Sequence, residues 1–260
     1  MKDMIQSILA AFVAKNSETD NFRIVPEGYQ LEDLERFDVR PRQIREKIFA
    51  STARSFCKYI QEFKTESTVI FANKQKQYFE AHLEYHNSVD KLPSWNTHKA
   101  VYHCPLELRW KTWTANDGKV MSQVDFARFI ENNLPDIVSP SGSDMLTISK
   151  ALQAKKSVDF KSDQRLSNGD IQFTYNETTT ATSGAGSLEV PEEFTLGIPV
   201  YEGGDKYQVQ ARLRYRINEG KLTMWYELIR PERMLEDAFQ HVMDEIQKAT
   251  DGILMFEANQ

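Results

Sequence analysis

Four of the five histidines of this chain lie between His82 and His103, and imidazoles at that density could hold a metal ion. Metal ligands must converge within about 2.0–2.3 Å of the ion, so the spacing of the histidines decides which of them could bind the same ion. Apolar and polar residues alternate from Gln77 to His86, which predicts a β-strand. On a strand rising about 3.3 Å per residue, His82 and His86 stand about 13 Å apart and cannot share an ion. His86 and His98, near the mouth of a hairpin, remain the candidate site for a divalent metal; otherwise we expect no cofactor.

Nucleophilic chemistry has weaker support. Cys104 follows His103 directly, and neighbouring residues on a strand point to opposite faces, so they would form no dyad. The chain has no Walker loop, no GxGxxG and no GxSxG motif. The sequence therefore favours a non-enzymatic protein. Its two cysteines form no CxxC pair, which is typical of a reducing compartment and predicts the cytoplasm.

Basic and aromatic residues near the end of the chain indicate binding. Cations for phosphates and rings for base stacking, placed together on a sheet, are typical of proteins that bind single-stranded nucleic acid. The candidate binding residues are Arg212, Arg214, Arg216 and Trp225, with Trp110 and Trp113 as further members. The alternative is that the arginines stack on Trp225 and pair with Glu227 as ordinary cross-strand stabilisation. The formal net charge of −6 favours this alternative.

The elements that must position these residues are short strands and helices. Val209 to Ile217 and Leu222 to Leu228 each alternate in polarity, and a two-residue turn at Glu219-Gly220 puts both apolar sets on one side. This register pairs Tyr215 with Met224, Arg214 with Trp225 and Arg212 with Glu227. His98 to Ala115 is expected to be one extended segment, which would place Trp110 and Trp113 on a sheet. A helix is expected to begin near Ser51 or Thr52.

The fold class that follows is α+β, with antiparallel sheets built of hairpins, packed helices, and amphipathic helices at both termini. The N-terminal helix is predicted over Met4–Lys15 and the C-terminal helix from Pro231. We expect an N-terminal arm over residues 1–20, a core over 21–230 that divides near residue 120, and the C-terminal helix over 231–260. The apolar run from Ile8 to Ala14 is too short to span a bilayer, so no membrane partner is expected.

Several segments, in order, resemble the YfdQ-like proteins of phages and prophages, a family with a domain of unknown function. Those that carry the resemblance include VPEGYQLEDLE, SFCKYIQEF, LEYH, SWNTHKAVYHCPLELRWKTW, VDFARFIENNLPDIVSP, LEVPEEFTLGIPVYEGG and YQVQARLRYRINEGKL. The resemblance covers about residues 24–230 and implies a cytoplasmic phage or prophage protein. It transfers no catalytic residues.

Three hypotheses follow. The first is a non-enzymatic phage accessory protein that binds a host or phage partner, in host takeover or anti-defence, and forms a homo-oligomer. The second is a factor that binds single-stranded nucleic acid or a nucleotide in phage recombination or replication. The third is a metal-dependent hydrolase that uses His86 and His98.

Overall fold

The computed structural model describes residues 34–86, 89–90, 92–154, 164–165, 171–176, 185–218 and 221–258. The chain divides into two compact units, Met1–Arg45 and Glu46–Gln260. In the first, a 3-10 turn over Leu34–Phe37 is described, and Glu35 forms an ion pair of 2.6 Å with Arg45. The predicted helix over Met4–Lys15 lies outside the described residues, and the boundaries at residues 20 and 230 stay predictions.

The described part of the second unit contains five α-helices and thirteen strands. The helices are α1 (Ala53–Phe63), α2 (Leu108–Ala115), α3 (Gln123–Asn132), α4 (Gly142–Ala154) and α5 (Pro231–Ala249). The strands are β1 (Glu46–Ala50), β2 (Val69–Asn73), β3 (Tyr78–His82), β4 (His98–His103), β5 (Met121–Ser122), β6 (Ile137–Ser139), β7 (Gln164–Arg165), β8 (Ile171–Asn176), β9 (Ala185–Val190), β10 (Glu193–Pro199), β11 (Lys206–Asn218), β12 (Lys221–Leu228) and β13 (Met255–Glu257).

The first sheet has the strand order β1-β4-β3-β2-β13. Strands β2, β3 and β4 form an antiparallel meander, while β1 joins β4, and β13 joins β2, in parallel. One face, which we call the inner face, carries buried apolar residues such as Ile70, Phe79 and Tyr102. Alternation along each strand sends the intervening side chains to the opposite, outer face.

Helices α1 and α5 pack on the inner face of the first sheet. Thr52 caps α1 as predicted, since its side chain accepts a hydrogen bond of 3.1 Å from the amide of Ser55. Phe56 of α1 is fully buried, and its ring lies 6.2 Å from that of Tyr102. On α5, the ring of Phe239 stacks on Phe79 at 4.8 Å.

The second sheet has the order β5-β12-β11-β10-β6, and each described pairing in it is antiparallel. The predicted register of β11 and β12 is confirmed: Tyr215 pairs with Met224, Arg214 with Trp225, and Arg212 with Glu227. The turn residues 219–220 lie outside the described residues, but Asn218 pairs with Lys221 across them. A third sheet, β7-β8-β9, is antiparallel. The predicted α+β class is thus confirmed with sheets that are mainly antiparallel, although the parallel pairs of β1 with β4 and of β13 with β2 were not predicted.

The prediction of one extended segment from His98 to Ala115 is wrong. Strand β4 ends at His103, and α2 begins at Leu108, where the Glu107 side chain accepts a hydrogen bond from the amide of Arg109. Within α2 the Thr112 hydroxyl donates to the carbonyl of Leu108 at 2.9 Å. The two tryptophans are three residues apart, a spacing that puts both on one side of a helix. No helix in the described part of the chain is long and apolar enough to cross a bilayer.

Candidate binding surfaces

The outer side of the β11–β12 hairpin carries the predicted arginines, and we call it the arginine face: Glu193, Arg212, Arg214, Arg216, Trp225 and Glu227. Each arginine already has a partner in the same sheet. Arg212 donates to Glu193 and Arg214 to Glu227, both at 3.1 Å. The guanidinium of Arg216 lies 5.8 Å from the centroid of the Trp225 ring.

Glu227 forms hydrogen bonds to one residue on each strand of this hairpin. It accepts a hydrogen bond of 3.1 Å from Arg214 and one of 3.2 Å from the indole of Trp225. These two hydrogen bonds hold the pKa of the Glu227 carboxyl below its ordinary value. The arginine face is therefore occupied by cross-strand pairs, as the alternative to nucleic-acid binding expects.

Trp110 and Trp113 lie on α2 and are not on the arginine face. Both are buried, and Trp113 is completely so. The Trp113 indole donates a 2.9 Å hydrogen bond to Asp136, and its backbone carbonyl accepts one of 2.6 Å from the hydroxyl of Tyr226. Phe129 meets the Trp113 ring at 5.0 Å. These contacts make Trp113 a residue of the core under the second sheet.

His86 and His98 have separate partners. His98 is buried on the inner face of the first sheet, with its Nε2 2.7 Å from the hydroxyl of Tyr59. His86 is exposed, and its Nδ1 accepts a 3.0 Å hydrogen bond from the amide of Ser94. Among the described residues, no group of three or more His, Cys, Asp and Glu side chains is arranged to hold a metal. The geometry of these two histidines therefore adds nothing to the metal hypothesis, which stays a prediction.

The cysteines are buried. Burial raises the pKa of the Cys104 thiol to about 12 and that of Cys57 to about 11. Both thiols therefore stay protonated near neutral pH, and a protonated thiol is a poor nucleophile. His103 is exposed and contacts the ring of Tyr78 at a tilt of 43°, with 5.4 Å between ring centroids.

The outer face of the first sheet is a surface that the sequence did not single out. We call it the aromatic face, and its residues are Lys47, Phe49, Val69, Phe71, Tyr78, Glu80, His82, Lys99, Val101, His103 and Phe256. Strand pairing sets these side chains in rows across the sheet. One row runs Phe49–Val101–Glu80–Phe71–Phe256, and the next runs Lys47–Lys99–His82–Val69.

Aromatic rings lie at both ends of the long row. Phe256 on β13 stacks on Phe71 at 5.7 Å, and the Phe71 ring meets the rings of His82 and Tyr85 at 5.0 and 5.5 Å. At the other end, Phe49 on β1 is 68% exposed. Phe256 is 43% exposed, so rings open to solvent lie at the two opposite edges of one sheet.

A charged group occupies the centre of the aromatic face. The Glu80 carboxylate lies 3.2 Å from the ammonium of Lys47 and 3.3 Å from that of Lys99. Burial alone would raise the pKa of Glu80, but the two ammonium groups outweigh it and hold that pKa below its ordinary value. The carboxylate therefore stays ionised at neutral pH, where it neutralises one of the two lysine charges.

His82 completes this centre. Its ring is only 4% exposed, and the side-chain amide of Asn96 lies within 3.0 Å of its Nδ1. Asn96 adopts a left-handed backbone conformation (φ 53°), one that asparagine tolerates better than most residues. The other ring nitrogen, Nε2, is 3.2 Å from Glu80 but has no hydrogen bond in the described structure. Burial, with the Lys99 charge, keeps the pKa of His82 below its ordinary value of 6.5, so the ring is neutral at pH 7.

The loop before β4 adds to the edge of this surface. Trp95, the residue before Asn96, is 83% exposed. Tyr85 and His86 follow the end of β3, and their rings contact each other at 4.5 Å between centroids, tilted by 47°. The histidine-rich segment thus contributes to a surface of rings and not to a described metal site.

Sequence reasoning found part of this surface. Alternation correctly placed Tyr78, Glu80 and His82 on one face, but β3 ends at His82, so the strand predicted from Gln77 to His86 is too long. It could not add Phe49, Phe71 and Phe256, because these come from strands distant in the sequence. The available signal was the alternation in EKIFA and VIFAN, which puts Phe49 and Phe71 on a face apart from their apolar neighbours.

Comparison with known proteins identifies a family and no characterised relative. No curated protein and no solved structure is significantly similar to the chain. Residues 2–256 match the family described as Uncharacterized conserved protein (DUF2303). Since that match spans nearly all of the 260 residues, the chain belongs to this family of uncharacterised conserved proteins.

Proposed function

We propose that this chain is a non-enzymatic phage or prophage accessory protein, and that it acts by binding a host or phage protein through the aromatic face. The observation that carries the proposal is the set of exposed rings around a partly neutralised ionic centre on one sheet. Aromatic residues are enriched, and unpaired charges depleted, at the centres of protein interfaces.

The composition of the aromatic face favours a protein partner over a polyanion. Lys47 and Lys99 share the carboxylate of Glu80, so the three side chains together carry one net positive charge, a small attraction for a polyanion. The exposed area of Phe49 and Phe256 would instead be covered by apolar groups of a partner. A partner also explains why rings of this size stay outside the core.

The absence of enzymatic activity is part of the same proposal. Cys104, the one cysteine beside a histidine, is buried with a raised pKa, so it is a poor nucleophile. His98 is held by Tyr59, and His82 by Asn96, so both serve local structure. We place the protein in the cytoplasm of an infected or lysogenic cell, with host takeover or anti-defence as its role. That setting rests on the resemblance to phage proteins.

Site-specific photo-crosslinking tests the proposal. A photoreactive phenylalanine analogue replaces Phe256, and the full-length protein is expressed in bacterial cells carrying the phage or prophage. We expect a discrete protein adduct, identified by mass spectrometry, that protease removes and nuclease leaves intact. The matched control places the same analogue at Val124, which is 46% exposed on α3.

The same experiment can contradict the proposal. Equal adducts from positions 256 and 124 would mean non-specific contact, and no adduct at 256 would remove the aromatic face as the contact surface. Adducts should also decrease when Phe71→Ser or Tyr85→Ser alters neighbouring rings of the face. A catalytic turnover that EDTA abolishes would overturn the non-enzymatic part.

A second candidate function, binding of single-stranded nucleic acid, is favoured by one observation. The ammonium of Lys47 lies 5.8 Å from the centroid of the exposed Phe49 ring on the aromatic face, and Arg216 lies over Trp225 on the arginine face. Fluorescence anisotropy with a labelled oligothymidylate separates the two surfaces. Phe256→Ser should weaken binding by the first, whereas Arg214→Ala and Trp225→Ala should weaken binding by the second. Absence of salt-sensitive binding at micromolar protein rules this function out.

A further inference from the structure

Within the described part of the chain, strand β1 has a free edge. It pairs with β4 on one side, and no described strand pairs with its other side. The amide of Glu46 donates to the carbonyl of Thr97 at 3.1 Å, which fixes the direction of the backbone groups. In a parallel ladder, Glu46, Ile48 and Ala50 then turn both backbone groups toward β4, while Lys47 and Phe49 turn theirs outward. Two residues thus offer amide and carbonyl groups to another strand.

The usual protection of such an edge is missing here. Natural proteins guard free edges with charged side chains, lysine above all. The Lys47 ammonium, however, lies 3.2 Å from Glu80, which is on β3, beyond β4. Lys47 therefore extends inward over the sheet, away from the free edge. The other outward residue is Phe49, whose ring is 68% exposed.

The sequence of β1 is self-complementary in one antiparallel register. In an antiparallel pair between two copies, the outward-turned backbone groups of one strand must face those of the other. Lys47 and Phe49 of one copy can therefore pair only with odd-numbered residues of the second copy, such as its Lys47 or Phe49. A register centred on Ile48 overlaps all five residues and sets each Lys47 opposite the Phe49 of the other copy. The register centred on Lys47 opposes two like charges, and the one centred on Phe49 overlaps only three residues.

We propose that the free edge of β1 binds a second copy of this chain, by antiparallel pairing centred on Ile48. The two first sheets then join into one sheet of ten strands, with four new backbone hydrogen bonds from Lys47 and Phe49 of both copies. Each Phe49 then stands directly opposite Lys47 of the other copy. This inference goes beyond the proposed function, because it concerns the backbone groups at the edge of the sheet, although the side chains of Lys47 and Phe49 also belong to the aromatic face.

Native mass and engineered cross-links test the pairing on the full-length chain. The wild-type protein should have twice the 30.1 kDa mass of one chain in analytical ultracentrifugation at micromolar concentration. Ile48→Cys should form a disulfide-linked dimer on oxidation, because facing non-hydrogen-bonded residues have Cα atoms about 4.5 Å apart. Phe49→Cys is the matched control: across the two-fold axis two Phe49 residues are diagonal neighbours, about 7–8 Å apart, and should not link.

A third variant tests the pairing without depending on the correct folding of Ile48→Cys. Phe49→Pro removes an amide that points away from β4, so the ladder with β4 is kept while the free edge is blocked. It should halve the native mass and leave the circular dichroism spectrum unchanged. A monomeric wild-type protein, a dimer that survives Phe49→Pro, or a Phe49→Cys link as efficient as that of Ile48→Cys would each overturn the proposal.

Discussion

A single buried imidazole occupies the centre of the aromatic face. His82 is bonded through one nitrogen to Asn96, and its other nitrogen faces Glu80 without a hydrogen bond. Buried polar atoms that lack a partner cost free energy, and protonation would add a charge in a place shielded from water. Lys99 is held close to His82 by its pairing with Glu80, and its positive charge further disfavours protonation of the His82 ring.

His82 should make the stability of the protein depend on pH in the weakly acidic range. Its pKa is below 6.5 in the folded chain and about 6.5 in the unfolded chain. Between these two values the unfolded chain binds more protons, so the free energy of unfolding rises with pH. The contribution of His82 is complete above about pH 6.5 and decreases as the pH falls toward the folded-state pKa. Glu80 acts in the same direction at lower pH: its pKa is lowered, so its contribution decreases as the pH falls below about 4.5.

Urea unfolding at several values between about pH 5 and 7.5 measures this dependence. His82→Asn should flatten the slope between pH 5 and 7, while His103→Asn, which changes an exposed histidine, should leave it unchanged. Equal slopes for the wild-type protein and His82→Asn would show that His82 does not titrate as proposed.

Elements were predictable where local patterns decide their geometry. The register of β11 and β12 followed from alternation and a two-residue turn, since a shift of one residue would turn Leu213 and Tyr226 to solvent. Helix α2 was missed because its eight residues give a short signal. Leu106, Leu108 and Trp110 alternate as a strand would, while Trp110 and Trp113 fit a helix equally well. Only the packing of Trp113 against the second sheet decides between the two.

Because Trp113 is a core residue, replacing it should reduce the free energy of unfolding of the protein. Trp113→Ala removes a fully buried ring and leaves the buried carboxylate of Asp136 without its indole donor. We expect a loss of about 3–5 kcal/mol in the free energy of unfolding, the usual cost of emptying such a site. Leu108→Ala, an exposed position on the same helix, should change it by less than about 0.5 kcal/mol. Chemical denaturation measures both; an unchanged midpoint for Trp113→Ala would contradict the assignment to the core.

The whole molecule depends on contacts that no local pattern predicts. The chain returns after α5 to add β13 beside β2, so that Met255 pairs with Ile70 and Phe256 with Phe71. β1 reaches β4 across the intervening hairpin in the same way. Both are parallel pairs, which need long connections and leave no turn signal between their strands. The aromatic face could not be assembled from the sequence for this reason, although each of its strands has a readable alternation.

Removal of β13 should therefore destabilise the first sheet from its far edge. A chain that stops after Ile253 loses the hydrogen bonds from Ile70 to Leu254 and from Ala258 to Ala72, and the stacking of Phe256 on Phe71. Backbone hydrogen bonds and an aromatic pair each contribute about 1 kcal/mol, and the pairing of Met255–Glu257 with β2 is lost as well, so we expect a loss of at least about 3 kcal/mol in the free energy of unfolding. A chain that stops after Ala258 keeps all of these contacts and is the matched control. Urea unfolding at one protein concentration compares the two, because association would otherwise change the midpoint. Equal midpoints would mean that β13 contributes nothing to the sheet, and that the Phe256 edge of the aromatic face is not held in place by this pairing.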